Sequence, residues 1–188
     1  DTQCGLLGAG AVRAGDLGVI AGTSTPLQIV TARPVFDPEG RLWNGQHVIP
    51  GLYVTESNGM ATGEVLAWVA AMIYPDCARP MEALLADAAR STPGAEGVSS
   101  TLGAHIFDGR TIGIPVGNLT LSHMASPGSS RRELGRAVLE GLAFSVAANL
   151  KQIEAVTGRA VQVPATHESS SLGAAVCAAV GVGAFASF

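Results

Sequence analysis

Apolar positions recur at helical spacing most clearly over Ser129–Val156. There Leu134, Val138, Leu142, Val146, Leu150 and Ile153 fall on one stripe. Ser129 or Ser130 suits the cap of that helix, and Gly158 suits its stop. A second apolar helix is expected over Thr62–Met72, carried by Val65, Leu66, Val69 and Met72, and a third over Pro80–Ala89. Asp1–Val12 reads as a short helix of small residues, and Ser169–Val180 as another, capped by Thr166 or Ser169. Short apolar runs predict strands at Leu17–Ala21 and Leu27–Ala32, joined by the turn Gly22-Thr23-Ser24-Thr25-Pro26. Further strands are expected at Gly51–Glu56, which stops at Ser57-Asn58-Gly59, at Leu102–Phe107 and Thr111–Val116 around Asp108-Gly109-Arg110, and at Val161–Val163. Pro34–Gly45 and Ser91–Gly97 read as loops. Strands first, then helices mixed with strands, indicate an α/β or α+β chain.

Composition narrows the classes. The chain has 188 residues, 47% hydrophobic and 14% charged, with a net charge of −4. That suits one domain with a sizeable core and argues against disorder. Lys and Arg are not clustered, so no nucleic-acid partner is expected. The longest apolar stretch, near Ala174–Ala186, is short and rich in Ala and Gly, so no membrane partner is expected either. No basic-then-apolar leader follows Asp1. Cys4, Cys77 and Cys177 lack CxxC spacing and read as buried thiols of a cytoplasmic protein rather than disulfide or zinc ligands. His47, His105, His123 and His167 are scattered without metal-ligand spacing and read as structural. Trp43 and Trp68 read as packing residues.

Four segments, in order, resemble the FGGY family of carbohydrate kinases. Asp1-Thr2-Gln3-Cys4-Gly5 is similar to the family's Asp-containing GGGD segment, without the leading glycines. Ala21-Gly22-Thr23-Ser24 is similar to its phosphate loop. The run from Arg132 to Phe144, which ends in Arg136-Ala137-Val138-Leu139-Glu140-Gly141-Leu142-Ala143-Phe144, is similar to its R-A-[VL]-[LM]-E-G-[VIL]-A-[FY] helix. Glu168-Ser169-Ser170-Ser171-Leu172-Gly173-Ala174-Ala175 is similar to its E-x-S-A-L-G-A-A segment. Each alone is weak; their order and spacing make the match specific. Ile106–Thr111 is more similar to the branch containing autoinducer (dihydroxypentanedione) kinases than to xylulokinases.

The resemblance implies an actin-like, ribonuclease H-like fold, a mixed sheet flanked by helices. It implies that residues 1–188 are the C-terminal, ATP-binding domain of a kinase acting on a sugar or polyol hydroxyl. The family's N-terminal sugar-binding domain has no counterpart here. Thr157-Gly158-Arg159 runs directly into Ala160-Val161-Gln162-Val163, where the family carries a glycine-rich turn and a helix that meet the adenine and ribose. A segment near 158–161 is therefore expected to be missing, and the isolated piece is expected to be inactive. ATP and Mg²⁺ are the implied cofactors, with Mg²⁺ held largely by phosphates and water, and a homodimer is a possible assembly.

The resemblance makes Asp1 the base for the acceptor hydroxyl; on the residues alone the cap of the first helix is the favoured reading. Gly22, Thr23 and Ser24 would hold the β- and γ-phosphates, or make an ordinary hairpin turn. Gly63 opens a helix and would meet the nucleotide, or serve close packing. Gly173 and Ala174 would let backbone approach the nucleotide, or pack a helix tightly. Glu168 suits a cap. The competing expectation is a non-catalytic nucleotide-binding or assembly module of the same fold. An activator ATPase of that fold is disfavoured by the Ala137–Phe144 run.

Overall fold

The buried strands form where apolar residues alternate between two faces, and helices then cover those faces. The computed structural model describes residues 2–101, 106–111, 119–125, 127–158 and 183. Helix α1 is Thr2–Gly8. Strands β1 (Leu17–Val19), β2 (Ser24–Thr31), β3 (Trp43–Gln46) and β4 (Tyr53–Ala61) follow. They make one antiparallel sheet in the order β1-β2-β4-β3. Helices α2 (Gly63–Ile73) and α3 (Pro80–Ala88) come next, then the short paired strands β5 (Ser99–Ser100) and β6 (Leu121–Ser122) and the long helix α4 (Arg131–Thr157).

Alternation along β2 sends its residues to two different cores. Leu27 and Ile29 pack with Leu17, Leu42 and Ile153 under α4. Val30, from the other face, packs with Leu6, Ala11 and Val54 under α1. A third core joins α2, α3 and α4 through Val69, Ala70, Tyr74, Leu84 and Val138.

Several expectations are corrected. The third strand does not stop at Glu56 but runs to Ala61 and leads straight into α2. Its polar residues find partners inside the fold: Ser57 is fully buried and donates to Oδ1 of Asn149 at 2.7 Å. The loop expected over Pro34–Gly45 yields its last residues to edge strand β3, all four residues of which are exposed. No apolar alternation marks such an edge strand.

The deepest face of α4 is offset from the leucine stripe. Glu133, Gly135, Ala137, Val138, Gly141, Ser145, Asn149, Gln152 and Ile153 are buried, while Leu134, Leu142, Val146 and Leu150 are half-buried. Close approach explains the offset: a Cβ on Gly141 would lie 2.7 Å from the Ser100 carbonyl oxygen. Polar pairing explains the rest. Asn149 accepts the Phe107 N–H at 2.9 Å, and Gln152 donates to the Phe107 carbonyl at 2.9 Å. Cys77 is exposed and Cys4 half-buried, against the expected burial, and Trp68 is exposed. The expected strand at Val161–Val163 and helix at Ser169–Val180 lie outside the described residues, as does most of the pair expected over Leu102–Val116.

Candidate functional site

Gly22, Thr23 and Ser24 form the turn that connects β1 to β2, folded tightly enough for the Gly22 N–H to donate to the Ser24 carbonyl at 3.0 Å. Gly22 and Thr23 are exposed and Ser24 is half-buried. This turn rests on the first residues of α2. A Cβ added at Gly63 would lie 2.1 Å from the Gly22 carbonyl oxygen, 3.0 Å from its carbon and 3.6 Å from the Thr23 Cα. Only glycine allows that approach without displacing backbone.

The contact also caps the helix. Thr62 occupies the N-cap position, yet its side chain makes no capping bond. The Glu64 N–H instead donates to the Thr23 carbonyl at 3.3 Å. One of the free amides at the start of α2 is thus satisfied by the turn itself. The Thr62 hydroxyl faces the neighbouring strand, where it and the Thr25 hydroxyl share a buried hydrogen bond, oxygens 2.6 Å apart. Glu64, in the first turn, adds a negative charge at the positive end of the helix dipole.

The backbone around this junction is irregular. The ladder between β2 and β4 shifts between Ser24 and Pro26, where proline has no N–H to donate. Opposite it, Met60 takes a left-handed φ of 59°. The Met60 N–H is held by the Asn58 Oδ1 at 2.8 Å. Gly59 packs against Thr25 and Thr62, with a Cβ there 3.3 Å from the Thr62 methyl carbon. Thr25, Gly59, Met60 and Thr62 thus shape the turn; the sequence marks Thr25, Gly59 and Thr62 only as turn or helix-start residues and does not show that they meet. The only available signal is the unbroken polar-to-helix passage from Ser57 to Gly63, which reads as a turn.

The structure therefore brings together four of the expected site residues: Gly22, Thr23, Ser24 and Gly63. Asp1, Gly173, Ala174 and Glu168 lie outside the described residues; Asp1 directly precedes Thr2, the first residue of α1. Among the described residues, no group of three or more His, Cys, Asp or Glu side chains converges as a metal site.

Charged residues elsewhere hold loops. Arg41 forks onto Asp37, with Nε at 2.7 Å from Oδ2 and a guanidinium nitrogen at 3.0 Å from Oδ1. That hydrogen bonding lowers the Asp37 pKa to about 2. Arg110 does the same for Asp108, which also falls to about 2. Gly109 fits under Arg41 and Trp43, and the Trp43 indole meets Phe107 edge-on at 4.6 Å. The segment 106–111 is thereby pinned between the start of β3 and α4. His47 is buried, and burial lowers its pKa.

No family model matches the chain. The autoinducer-2 kinase of Salmonella paratyphi B is 30% identical over 227 residues, covering all of this chain and 42% of that protein. The autoinducer-2 kinase of Escherichia coli K12 is 28% identical with the same coverage. Among solved structures, xylulose kinase from Rhodospirillum rubrum superposes with a TM-score of 0.73 at 26% identity, over 97% of this chain and 41% of that one. Plasmodium falciparum glycerol kinase with ADP gives a TM-score of 0.73 at 18% identity, over 98% of this chain and 42% of that one. The chain thus spans about two fifths of the length of the relatives it matches.

Proposed function

We propose that this chain, which belongs to the FGGY carbohydrate kinases and has their actin-like fold, is the nucleotide-binding lobe of an ATP-dependent kinase that phosphorylates a sugar or polyol hydroxyl. The observation that carries this reading is the seat of the Gly22–Ser24 turn on Gly63. A side chain would fill the space that holds the turn, so the backbone there is kept small and fixed beside exposed hydroxyl and amide groups. That is what binding a phosphate chain demands. The relatives that cover the whole chain are kinases, which supports the same reading.

In this proposal the Thr23 N–H and the hydroxyls of Thr23 and Ser24 take the β- and γ-phosphates, and Gly22, whose N–H is bound to the Ser24 carbonyl, lets the phosphates approach the backbone closely. Gly63 keeps the turn in place rather than touching the nucleotide itself. Gly173 and Ala174 are assigned to the nucleotide's other side by resemblance. Mg²⁺, bound with ATP through phosphate oxygens and water, would offset the negative charge that builds on the transferred group. Asp1 accepts the proton of the acceptor hydroxyl as that oxygen attacks the γ-phosphorus. The acceptor would be held in part by the region of the relatives that this chain does not span. A sugar or polyol is the proposed partner, with neither nucleic acid nor membrane. No helix among the described residues is long and apolar enough to cross a bilayer. We place the reaction in the cytoplasm, and an assembly of two copies is the oligomer we propose.

The alignment to the autoinducer-2 kinases extends over 227 residues, more than the 188 of this chain, so the relatives carry residues without a counterpart here. We place a missing segment near 158–161, where the resemblance lacks the family's glycine-rich turn and helix. The test uses the full-length protein. ADP release is measured with Mg-ATP across ketoses, polyols and dihydroxypentanedione, beside an Asp1→Ala variant. Acceptor-dependent release is expected, with Asp1→Ala lowering kcat by about a hundredfold or more. ATP binding without turnover on every acceptor would instead identify a non-catalytic module.

A further inference from the structure

One row of polar side chains, on the α1 face of the sheet, takes no part in the turn's contacts with α2. Gln28 is buried at 4% exposure, and the strand register places it opposite Glu56. Its Nε2 donates to Oε2 of Glu56. Its oxygen accepts from Nε2 of Gln3 at 3.3 Å. Asn58, two residues beyond Glu56 and so on the same face, donates from Nδ2 to Oε1 of Glu56 at 2.9 Å. The Oδ1 of Asn58 holds the Met60 N–H.

The result is an unbroken chain of hydrogen bonds. It begins in the first turn of α1, two residues after Asp1, and ends at the left-handed residue through which β4 passes into α2 and the seat of the Gly22–Ser24 turn. Its polarity is fixed by chemistry, because an ionised Glu56 only accepts. Gln28 must therefore offer its amide nitrogen to Glu56 and its oxygen to Gln3.

We infer that Gln3, Gln28, Glu56 and Asn58 are positioning residues that hold α1, and with it the residue before it, at a set distance from the turn that carries the phosphates. The inference rests on the reading of Asp1 as proton acceptor. In-line transfer is sensitive to such distances, since a displacement of about 1 Å costs roughly a hundredfold in rate. In this reading α1 supplies no group to the nucleotide. The network should therefore act on turnover and leave nucleotide affinity alone.

The polarity argument supplies its own control. Gln3 Oε1 is buried without a partner. In Glu56→Gln, the new amide nitrogen can face Gln28 if the amides of Gln28 and Gln3 both turn over, and the chain is restored in the opposite sense. Glu56→Leu and Gln28→Leu offer no such route.

The experiment compares these three variants with the unsubstituted full-length protein by ADP release, thermal melting, and amide exchange of residues 2–8. Gln28→Leu and Glu56→Leu are expected to lower kcat by roughly tenfold or more, with KM for ATP within about twofold. Exchange over residues 2–8 is expected to quicken as α1 loosens. Glu56→Gln is expected to retain most of its turnover. Gln3→Leu, at a half-buried position, breaks the first link and serves if Gln28→Leu fails to fold. Full turnover in Gln28→Leu or Gln3→Leu, unchanged exchange over residues 2–8, or equal losses in Glu56→Gln and Glu56→Leu would each overturn the inference. If the unsubstituted protein turns over no acceptor, the kinase reading falls, and the exchange measurement alone decides whether the network holds α1.

Discussion

Helices α2 and α4 begin in opposite ways. At the start of α4, Ser130 and Glu133 form a complete capping box: the Ser130 N–H donates to Glu133 Oε2 at 3.0 Å, and the Ser130 Oγ accepts the Arg132 N–H at 3.2 Å. At the start of α2 the N-cap Thr62 caps nothing, and a carbonyl from the Gly22–Ser24 turn does the work instead. A helix capped by its own side chains satisfies its first amides without help from another element. A helix capped by a remote turn ties its own stability to that turn's position. The lesson is that α4 is built as scaffold, whereas α2 and the turn are built as one unit, so damage at α2's start should read out as function and damage at α4's start as stability.

The largest effect is expected at Gly63. In Gly63→Ala the new methyl would meet the Gly22 carbonyl at 2.1 Å, a contact with backbone that no side-chain movement relieves. The turn must shift outward. We expect kcat/KM for ATP to fall by about a hundredfold, equivalent to about 2.7 kcal/mol of transition-state binding. The shifted turn also withdraws the Thr23 carbonyl from the Glu64 N–H, and alanine's helix propensity, worth up to about 1 kcal/mol over glycine, offsets only part of that cost, so the melting temperature should fall modestly. Steady-state kinetics and a thermal melt on the same sample separate the two. An unchanged kcat/KM would break the comparison, because the turn and α2 would then not be one unit.

A smaller effect is expected inside the junction. Thr25→Val keeps the shape but leaves the Thr62 hydroxyl buried without its partner. The cost should be about 1–2 kcal/mol by urea unfolding. Adding Thr62→Val removes the stranded hydroxyl too, and the double variant should regain most of the loss. A double variant no better than the single would show that the two hydroxyls do not act as a pair.

Much of this is legible in the amino-acid sequence. The turn that opens at Gly22, the strands on either side of it and the helix ending at Gly158 follow from local chemistry, because glycine and capping residues act within a few positions of themselves, although Ser24, Thr25 and Pro26 already belong to β2. The four segments that resemble FGGY kinases lead to the family that the relatives share. What stayed hidden was non-local. Asn149 sits in a helix pattern as an ordinary polar residue, yet it is fully buried because it answers Ser57 and Phe107, far away in sequence. Gly141 reads as one letter of a family motif, yet its role here is to let Ser100 approach α4. Periodicity pointed to the leucines as the core of α4, because it ranks residues by polarity and cannot see which partner is close enough to require a small one. The passage from Ser57 to Gly63 failed for the same reason: its turn-forming residues are held in a strand by partners on other elements. At the site, Gly22, Thr23, Ser24 and Gly63 could be named in advance, but not the hydroxyl pair and the left-handed Met60 that shape their meeting.

The smallest expected effect tests the scaffold side of the comparison, and it depends on pH. Glu133 is fully buried, and hydrogen bonds from Ser130 and Arg132 lower its pKa from 4.5 to about 2 in the folded chain. In the unfolded chain the carboxyl returns to its ordinary value and takes up a proton more readily. Its contribution to stability is therefore complete above about pH 4.5 and is lost as the pH falls toward 2. Asp37 and Asp108 have pKa values lowered from 3.8 to about 2 and act in the same direction over the lower part of that window. Melting temperature measured from pH 7 down to pH 2 should thus be level at first and then decline. In Glu133→Gln the plateau should sit lower, since an amide cannot accept from Ser130 and Arg132 with two charged oxygens, and the decline should be shallower while the aspartate part persists. Because α4 begins far from the turn in sequence and caps itself, KM for ATP at neutral pH should be unchanged in this variant. A rise in that KM would mean that the start of α4 is also coupled to the turn, and the division between scaffold and site would have to be redrawn around the contacts α4 makes with β4.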